Sequence, residues 1–294
     1  MGKLVFPIVI AIMLAAIGFG AYYVLQGKSG LFSSAPTLPK APVAPAPEDA
    51  PVATAEPTEP AIQYPIEAAS APFDAAALPE LAKSDDFVTR ALSEIVKRPD
   101  MLTFLQLDGF ARRVVATVDN LARPHAAPQL WPVNPTPGRF STMTGSSGVK
   151  GDVIHPANAR RYVPLVKFID AIDSAKAAAV YVRLYPLLQQ AYVELGYPKA
   201  YFNDRLVAVI DHLLATPTPT EPLRVRLTEV KGPINPARPW VRYEFEDPKL
   251  EELSSGQKML LRSGPDNQAL LTAKLRELRQ QVTVAARPTA PARP

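Results

Sequence analysis

The chain has 294 residues, no cysteine, 33 prolines and a formal net charge of +4 at pH 7. Without cysteine, the protein has no disulfide, no thiolate nucleophile and no zinc–thiolate or iron–sulfur site. Because the prolines are concentrated in particular stretches, the folded part is predicted to be shorter than the chain.

The first predicted element is a membrane-spanning helix. Residues 4–25 carry no charge over 22 positions, and at about 1.5 Å per residue they reach roughly 33 Å, enough to cross the hydrocarbon core of a bilayer. The apolar run is too long for the core of a signal peptide, and no small-residue cleavage site follows it. We therefore expect residues 1–30 to be an uncleaved single-pass anchor in a bacterial inner membrane.

The charges that flank this span discriminate little between its two orientations. Lys3 lies on one side and Lys28 on the other, so the positive-inside rule gives almost no bias. A short N-terminal tail before a large domain favours a cytoplasmic amino terminus and a periplasmic domain. The reverse orientation, with the domain in the cytoplasm, stays open.

A linker is predicted over residues 31–77. Ten prolines lie between Pro36 and Pro72, and the linker as a whole has one lysine and six acidic residues, a net charge of −5. Such a segment cannot bury a core, so we expect a disordered, semi-rigid spacer. The remainder of the chain is basic, which favours an anionic partner but is also ordinary for solubility.

Residues 78–284 are predicted to fold into one mainly helical domain, followed by a disordered tail over 285–294. Apolar periodicity and capping residues indicate about seven helices and one β-hairpin. The predicted helices are residues 85–96 after a Ser84 cap, 100–121 with a break at Gly109, 157–172, 174–195 capped by Ser174 and bent at Pro186, 203–214 capped by Asn203, 248–262 and 266–282. The predicted hairpin joins residues 223–230 to 240–247, because both runs alternate with a period of two.

The stretch from Arg123 to Pro156 is predicted to be a long loop, because it holds six prolines and the run GSSGVKG. Trp131 and Phe140 are expected to pin the loop to the domain, with a mobile tip near residues 145–151.

In the helix over 174–195, a helical wheel predicts one narrow core-facing stripe. Its predicted members are Leu184, Tyr185, Leu188, Tyr192 and Leu195.

For each candidate catalytic or metal site, an ordinary structural role explains the residues better than the proposed chemistry does, and no motif indicates a cofactor. His125, His155 and His212 are isolated, without the spacing of a zinc motif. Ser255 and Lys258 match the S-x-x-K pattern of penicillin-recognising enzymes, but the companion motifs are missing, so a helix start with a solvated lysine explains them better. Carboxylate pairs for glycoside hydrolysis exist only as spacings along a helix, Asp170 with Asp173 and Asp204 with Asp211. No aromatic-interleaved basic run indicates nucleic-acid binding.

A candidate binding surface lies between the proline-bent helix and its neighbours. Its predicted members are polar residues at helix starts and turns: Arg160, Arg161, Tyr197, Asn203 and Arg205. A cap at Asn203 and solvated arginines are the structural alternative. The turn GYPKAYFNDR holds three side chains, Tyr197, Tyr201 and Arg205, for which the pattern requires no packing role.

Several long strings carry a resemblance to a known family. They are DNLARP (119–124), NARRYVPLV (158–166), YPLLQQAYVELGYP (185–198), FNDRLVAVIDHLLATP (202–217) and GQKMLLRSGPDN (256–267). With them the chain resembles the bacterial membrane-anchored proteins catalogued as domain of unknown function 3014, over about residues 78–282. The resemblance implies an anchor-plus-linker layout but no activity, so it assigns no role to any residue.

The sequence thus predicts a membrane-anchored envelope protein whose domain is a non-enzymatic binding or scaffolding module. Its expected partners are the cytoplasmic membrane, through the N-terminal helix, and a protein or envelope polymer, with no cofactor and no nucleic acid. The alternative is a cell-wall hydrolase that uses a carboxylate pair.

Overall fold

The computed structural model describes residues 61–66, 78–145, 151–228 and 239–285. The predicted membrane helix, most of the linker, the tip of the long loop, most of the hairpin turn and the tail from residue 286 lie outside these ranges. Within them, no helix combines the length and the apolar character needed to cross a membrane.

The described residues form a mainly helical domain, as predicted. Nine α-helices follow one another along the described chain: α1 (Asp85–Ser93), α2 (Arg98–Phe104), α3 (Phe110–Leu121), α4 (Ala157–Ala171), α5 (Ser174–Glu194), α6 (Phe202–Leu214), α7 (Pro248–Glu251), α8 (Ser255–Ser263) and α9 (Pro265–Ala285). Short 3-10 helices cover Leu81–Lys83, Pro128–Leu130 and Pro239–Val241.

The helical core is built around α3, α5, α6 and α9. Helix α3 packs against both α5 and α6, and α9 packs against α4, α5 and α6. Large buried side chains such as Phe110, Tyr181 and Phe202 fill the space between them. This apolar burial is the main source of the domain's stability.

A small antiparallel sheet lies beside the helices, in the order β1 (Thr142–Thr144), β2 (Asp152–Ile154), β3 (Arg224–Leu227) and β4 (Tyr243–Phe245). The pairing of Val225 with Phe245 confirms the predicted hairpin. The prediction of a single hairpin is nevertheless incomplete, because β1 and β2 extend it from within the long loop. Three-residue strands are too short to show an alternating pattern in sequence.

The predicted helix over 248–262 is two helices, α7 and α8. Ser254 caps α8 through a capping box, in which its hydroxyl accepts from the Gln257 amide and the Gln257 side chain accepts from the Ser254 amide. The break predicted at Gly109 is confirmed, since this residue has a φ of 61° and precedes α3. These breaks raise the number of helices in the described ranges from about seven to nine.

Helix α5 ends where predicted, but the predicted core-facing stripe includes one residue too many. The amides of Gly196 and Tyr197 donate to the carbonyls of Val193 and Tyr192, which is the Schellman pattern, and Gly196 has a φ of 112°. Leu195 therefore points out of the core and is 42 % exposed. Its predicted place in the core-facing stripe is wrong.

Three predicted side-chain caps are also wrong. Ser84 precedes α1 as predicted, but its hydroxyl donates to the carbonyl oxygen of Leu81 and caps no amide of that helix. Asp173, one residue before Ser174, caps α5 by accepting from the Lys176 amide at 2.7 Å. Helix α6 begins at Phe202, whose amide donates to Gln189 Oε1 of α5 at 2.8 Å. Asn203 is thus inside the helix and fully buried, and a side chain from a neighbouring helix satisfies the first free amide of α6.

Candidate functional site: a cleft between the sheet and helix α8

The predicted binding residues do not form one surface. Arg160 is exposed on α4. Arg161, next to it, donates to the carbonyl oxygens of Pro137 and Gly138 at 3.0 and 3.2 Å, so it fastens the long loop to α4. Whether either arginine also binds a ligand stays a prediction.

Tyr197 and Arg205 do come together, around a residue that sequence reasoning missed. The Asp119 side chain is only 4 % exposed, and its carboxylate accepts from Arg205 Nε at 3.1 Å and from the Tyr197 hydroxyl at 3.2 Å. Arg123 donates to the same carboxylate and to the Tyr197 hydroxyl, and the charge of Asp119 raises the Arg123 pKa. This cluster ties α3 to α6 and to the turn before it.

Asn203 has a different set of partners. Its Oδ1 accepts from the Tyr181 hydroxyl at 3.1 Å, and its Nδ2 donates to the carbonyl oxygen of Tyr64 at 2.9 Å. Tyr64 belongs to residues 61–66, a part of the predicted linker that lies on the domain. The predicted set is therefore divided among the long loop, the Asp119 cluster and this segment.

A different set of polar and aromatic residues lines a cleft of about 280 Å³ between the sheet and α8. Its walls come from the first part of the long loop, from α4, from the end of β3, from the 3-10 helix and β4, and from α7 and α8. The lining residues are Pro124, His125, Ala126, Pro128, Trp131, Phe140, Tyr162, Thr228, Trp240, Val241, Arg242, Tyr243, Glu244, Glu251, Ser255, Lys258, Met259 and Arg262.

Aromatic rings make up much of the cleft wall. Phe140 lies against Tyr243 with ring centroids 5.4 Å apart. The guanidinium of Arg139 stacks on Trp240 at 4.1 Å from the ring centroid. The two tryptophans of the chain, Trp131 and Trp240, both line this cleft.

Two carboxylates of the cleft are held by internal partners. Glu251 accepts from Lys258 Nζ at 2.8 Å and from the Phe245 amide at 2.8 Å. Glu244 accepts from the Thr228 hydroxyl and from Arg226, and the first of these hydrogen bonds lowers its pKa most. Neither carboxylate is a free acid or base at the cleft wall.

The cations of the cleft are less completely balanced. Arg262 donates to the carbonyl oxygen of Tyr243 at 3.0 Å and lies over the Phe245 ring, and burial lowers its pKa. The Nη1 of Arg242 is buried and has no hydrogen-bond partner within the described ranges. A buried donor without a partner is costly.

The S-x-x-K pair lines the same cleft but does not form a catalytic pair. The Ser255 hydroxyl donates to the carbonyl oxygens of Asn120 and Leu121, while Lys258 is occupied by Glu251. The prediction of a solvated Lys258 is wrong, because this residue is only 8 % exposed. The pair serves to fasten α8 to the end of α3 and to α7.

Three of the four carboxylates in the predicted pairs are similarly occupied, and the fourth, Asp170, is exposed. Asp204 accepts two backbone amides of the 61–66 segment, and Asp211 pairs with Arg279. Asp173 caps α5. Among the residues that the structure describes, no group of three or more histidine, aspartate or glutamate side chains is arranged to hold a metal ion.

Sequence reasoning missed this cleft because its walls come from five separate stretches of the chain. The one signal available was the position of both tryptophans beside proline-rich turns, and only Trp131 was interpreted, as an anchor of the loop.

Comparison with known proteins identifies a family and no characterised relative. The family model described as "Protein of unknown function (DUF3014)" matches residues 110–279, more than half of the chain. No curated protein and no solved structure matches significantly. The matched residues run from the start of α3 into α9 and include the cleft and the Asp119 cluster. The chain therefore belongs to the DUF3014 family of proteins of unknown function.

Proposed function

We propose that this protein is a non-enzymatic binding module whose cleft beside α8 takes an anionic ligand with a flat apolar face. The observation that carries the proposal is the buried Nη1 of Arg242, which has no partner among the described residues and belongs to a cleft lined by two tryptophans. An anionic group of the ligand would accept from Arg242, and Trp240 would contact a ring face.

The residues of the cleft support binding rather than catalysis. A nucleophile needs a base within hydrogen-bond reach, yet the Ser255 hydroxyl is directed to backbone carbonyls and Lys258 to Glu251. Of the carboxylates that a hydrolase would need, Asp173, Asp204 and Asp211 are held by backbone amides or by an arginine, and Asp170 is exposed. A polymer of acidic sugars offers both a carboxylate and flat ring faces, which makes an envelope polymer our preferred ligand class.

The cellular setting of this module is part of the proposal. The apolar residues 4–25 would anchor the chain in the inner membrane and the proline-rich residues 31–60 would hold the domain at a distance, in the periplasm. This setting is supported by the sequence alone. Fusions of alkaline phosphatase and of a fluorescent protein to the C-terminus test it, because the first is active only outside the cytoplasm.

Tryptophan fluorescence provides a direct test of the binding site, since both tryptophans of the chain line the cleft. The full chain in detergent is titrated with soluble peptidoglycan fragments, with polygalacturonate as a simple acidic polymer, and with a neutral chitin oligomer. We expect a saturable fluorescence change with an acidic probe. Arg242→Met should weaken that binding about tenfold or more, because a charge-assisted hydrogen bond is lost.

Arg276→Met is the matched control, because it removes an exposed arginine of α9 that does not line the cleft. The proposal fails if no acidic probe changes the fluorescence, or if Arg242→Met and Arg276→Met bind equally well. Release of new reducing ends from the peptidoglycan fragments would support the hydrolase alternative instead.

A further inference from the structure

Residues 61–66 lie across the beginning of α6, although they belong to the predicted linker. The amides of Gln63 and Tyr64 both donate to the carboxylate of Asp204, at 3.0 and 2.8 Å. One carboxylate therefore accepts two successive backbone amides, which is a strong charge-assisted arrangement.

The same segment is held further along its backbone. Asn203 Nδ2 donates to the carbonyl oxygen of Tyr64 at 2.9 Å. The Tyr201 hydroxyl accepts from the amide of Ile66 at 2.6 Å. Pro65 has no amide hydrogen, so every backbone amide from residue 63 to residue 66 has its partner on Asp204 or Tyr201.

Two side chains of the segment make the apolar part of the contact. Ile66 is 7 % exposed and belongs to the main core, and Tyr64 packs against that core while half-buried. Arg279 of α9 pairs with Asp211, which is the main cause that raises the Arg279 pKa, and Tyr64 raises this pKa further. In contrast, the side chain of Ile62 is 54 % exposed.

The receiving side chains also have partners inside the helical domain. Asn203 is fully buried, and its Oδ1 is already held by Tyr181, which orients Nδ2 toward the segment. The Tyr201 ring packs against Tyr185 at 5.3 Å. Preorganised partners of this kind reduce the entropy cost of binding an extended peptide.

We propose that Tyr201, Asn203, Asp204 and Arg279 form a peptide groove, and that residues 61–66 are its tethered ligand. The groove recognises an extended segment of the pattern Tyr-Pro-apolar. Contacts to the backbone give affinity with little sequence preference, while Tyr64 and Ile66 give selectivity. Tyr64 is the single tyrosine of residues 31–77, so the linker carries one segment that fits.

Tethering explains how so short a ligand stays bound. Eleven residues of the same chain separate the segment from residue 78. A covalent connection of this length gives an effective concentration in the millimolar range, so a segment with millimolar affinity occupies its groove for a large part of the time. The same peptide added free in solution must compete with that concentration.

The first test measures the position of the segment in the full chain, which has no native cysteine to interfere with labelling. Nitroxide labels at Ile62→Cys and Ala208→Cys, both exposed positions, give a distance distribution by pulsed electron resonance. We expect one narrow distance in this background. Tyr64→Ala should broaden it, whereas Gln63→Ala should not, because Gln63 contributes only its backbone amide.

The second test supplies the ligand in trans. A dye-labelled peptide of residues 60–67 is added to the full chain carrying Tyr64→Ala and Ile66→Ala, which vacates the groove. We expect saturable binding by fluorescence anisotropy, weakened about tenfold or more by Asp204→Asn, since a carboxamide cannot accept both amides as a carboxylate does. Circular dichroism confirms that each variant is folded.

Three results would overturn the inference. They are a broad distance distribution in the labelled chain with a native segment, a short distance that disappears when labelled protein is diluted with unlabelled protein, and a folded, vacated variant that does not bind the peptide. The second result would assign the segment to a neighbouring copy. None of these results depends on tryptophan fluorescence in the cleft, so the inference about the groove can fail while the proposed function holds.

Discussion

Asp119 shows how much of this fold depends on one buried charge. Its side chain is 4 % exposed and is shared between Arg123 and Arg205. A buried carboxylate is tolerated only when several donors surround it, and here two guanidinium groups and the Tyr197 hydroxyl do so. Tyr197 and Arg205, for which the sequence pattern required no packing role, thus have one in the structure.

We expect Asp119→Asn to lower the free energy of unfolding by about 2–4 kcal/mol, because it leaves Arg205 partly buried without its counter-charge. Urea denaturation at pH 7 measures the change. The matched control is Glu194→Gln, which breaks the exposed pair with Arg112 and should cost less than about 1 kcal/mol. Equal losses in the two variants would show that the buried Asp119 cluster contributes no more to stability than an exposed ion pair.

Sequence reasoning found the members of this cluster only in part. Arg205 and Tyr197 were marked because nothing local explained them. Asp119 was not, since it lies in a regular helix and its partners Tyr197 and Arg205 are 78 and 86 positions away. Contacts over such separations leave no periodic trace in a single sequence.

At the scale of elements, helix α8 is placed by a close approach rather than by a motif of its own. A Cβ on Gly256 would lie 2.6 Å from Leu213 Cδ2 and 3.0 Å from the carbonyl oxygen of Leu121. The leucine methyl can move, but the backbone oxygen of α3 cannot do so cheaply. The glycine therefore sets how closely α8 sits on α3 and α6.

Gly256→Ala is expected to destabilise the domain by about 1–3 kcal/mol through this overlap. Helix propensity alone predicts the opposite sign, a gain of about 0.5–1 kcal/mol, so the direction of the change separates the two effects. Thermal unfolding measures it. Gly109→Asn is the control, because that position is open and asparagine tolerates its positive φ; it should change stability little.

The buried tyrosines of helix α5 predict a loss of stability in alkali. Burial raises the pKa of Tyr181 and Tyr185, and it raises the pKa of Tyr192 to about 12. An unfolded tyrosine titrates near pH 10. Between these values the unfolded chain loses protons that the folded chain keeps, so the free energy of unfolding falls as pH rises.

Tyr192→Phe should reduce this dependence, because it removes one of the groups that cannot ionise in the folded state. At pH 7 the variant should be close to the wild type, since phenylalanine keeps the ring stack on Tyr197. Urea midpoints measured at pH 7, 9 and 11.5 provide the comparison. The same slope between pH 9 and 11.5 in both proteins would contradict the assignment to Tyr192.

Elements with several turns of periodic apolar residues are predictable from the sequence, and short elements are not. Helices α3 to α6 and α9 were found near their observed bounds because each carries several turns of periodic apolar residues. Strands β1 and β2 were missed, since three residues carry no period and β2 is paired with a strand about 70 positions away. The cleft, whose walls depend on that sheet, was therefore missed as well.

Over the whole molecule, the apolar core is unevenly divided. Most buried apolar side chains belong to one helical cluster, whereas the sheet has a small cluster of its own, Val225, Phe245 and Leu261. Elements with few buried contacts open at lower free energy than the rest. We therefore expect the sheet, which bounds the cleft on one side, to open at a lower free energy than the helical core.

Hydrogen exchange should reveal this division. We expect the amides of β1 to β4 to exchange at a lower opening free energy than those of α3, α5 and α6, when followed by mass spectrometry under native conditions. The C-terminal turn of α9, which is free to fray, gives the lower reference. Sheet amides as slow as those of α5 would show that the two clusters unfold together.

The contact between residues 61–66 and helix α6 also determines how the molecule bears mechanical load. Tension applied at the N-terminal end of the chain acts first on the hydrogen bonds that Asp204, Asn203 and Tyr201 make with the segment. It acts on the helices from α1 onward only after these bonds have broken. We expect these hydrogen bonds to break while the helical domain stays intact, because Tyr64 and Ile66 are the apolar side chains of the segment that pack on the core. The segment is therefore expected to detach from α6 under tension before any part of the helical core unfolds.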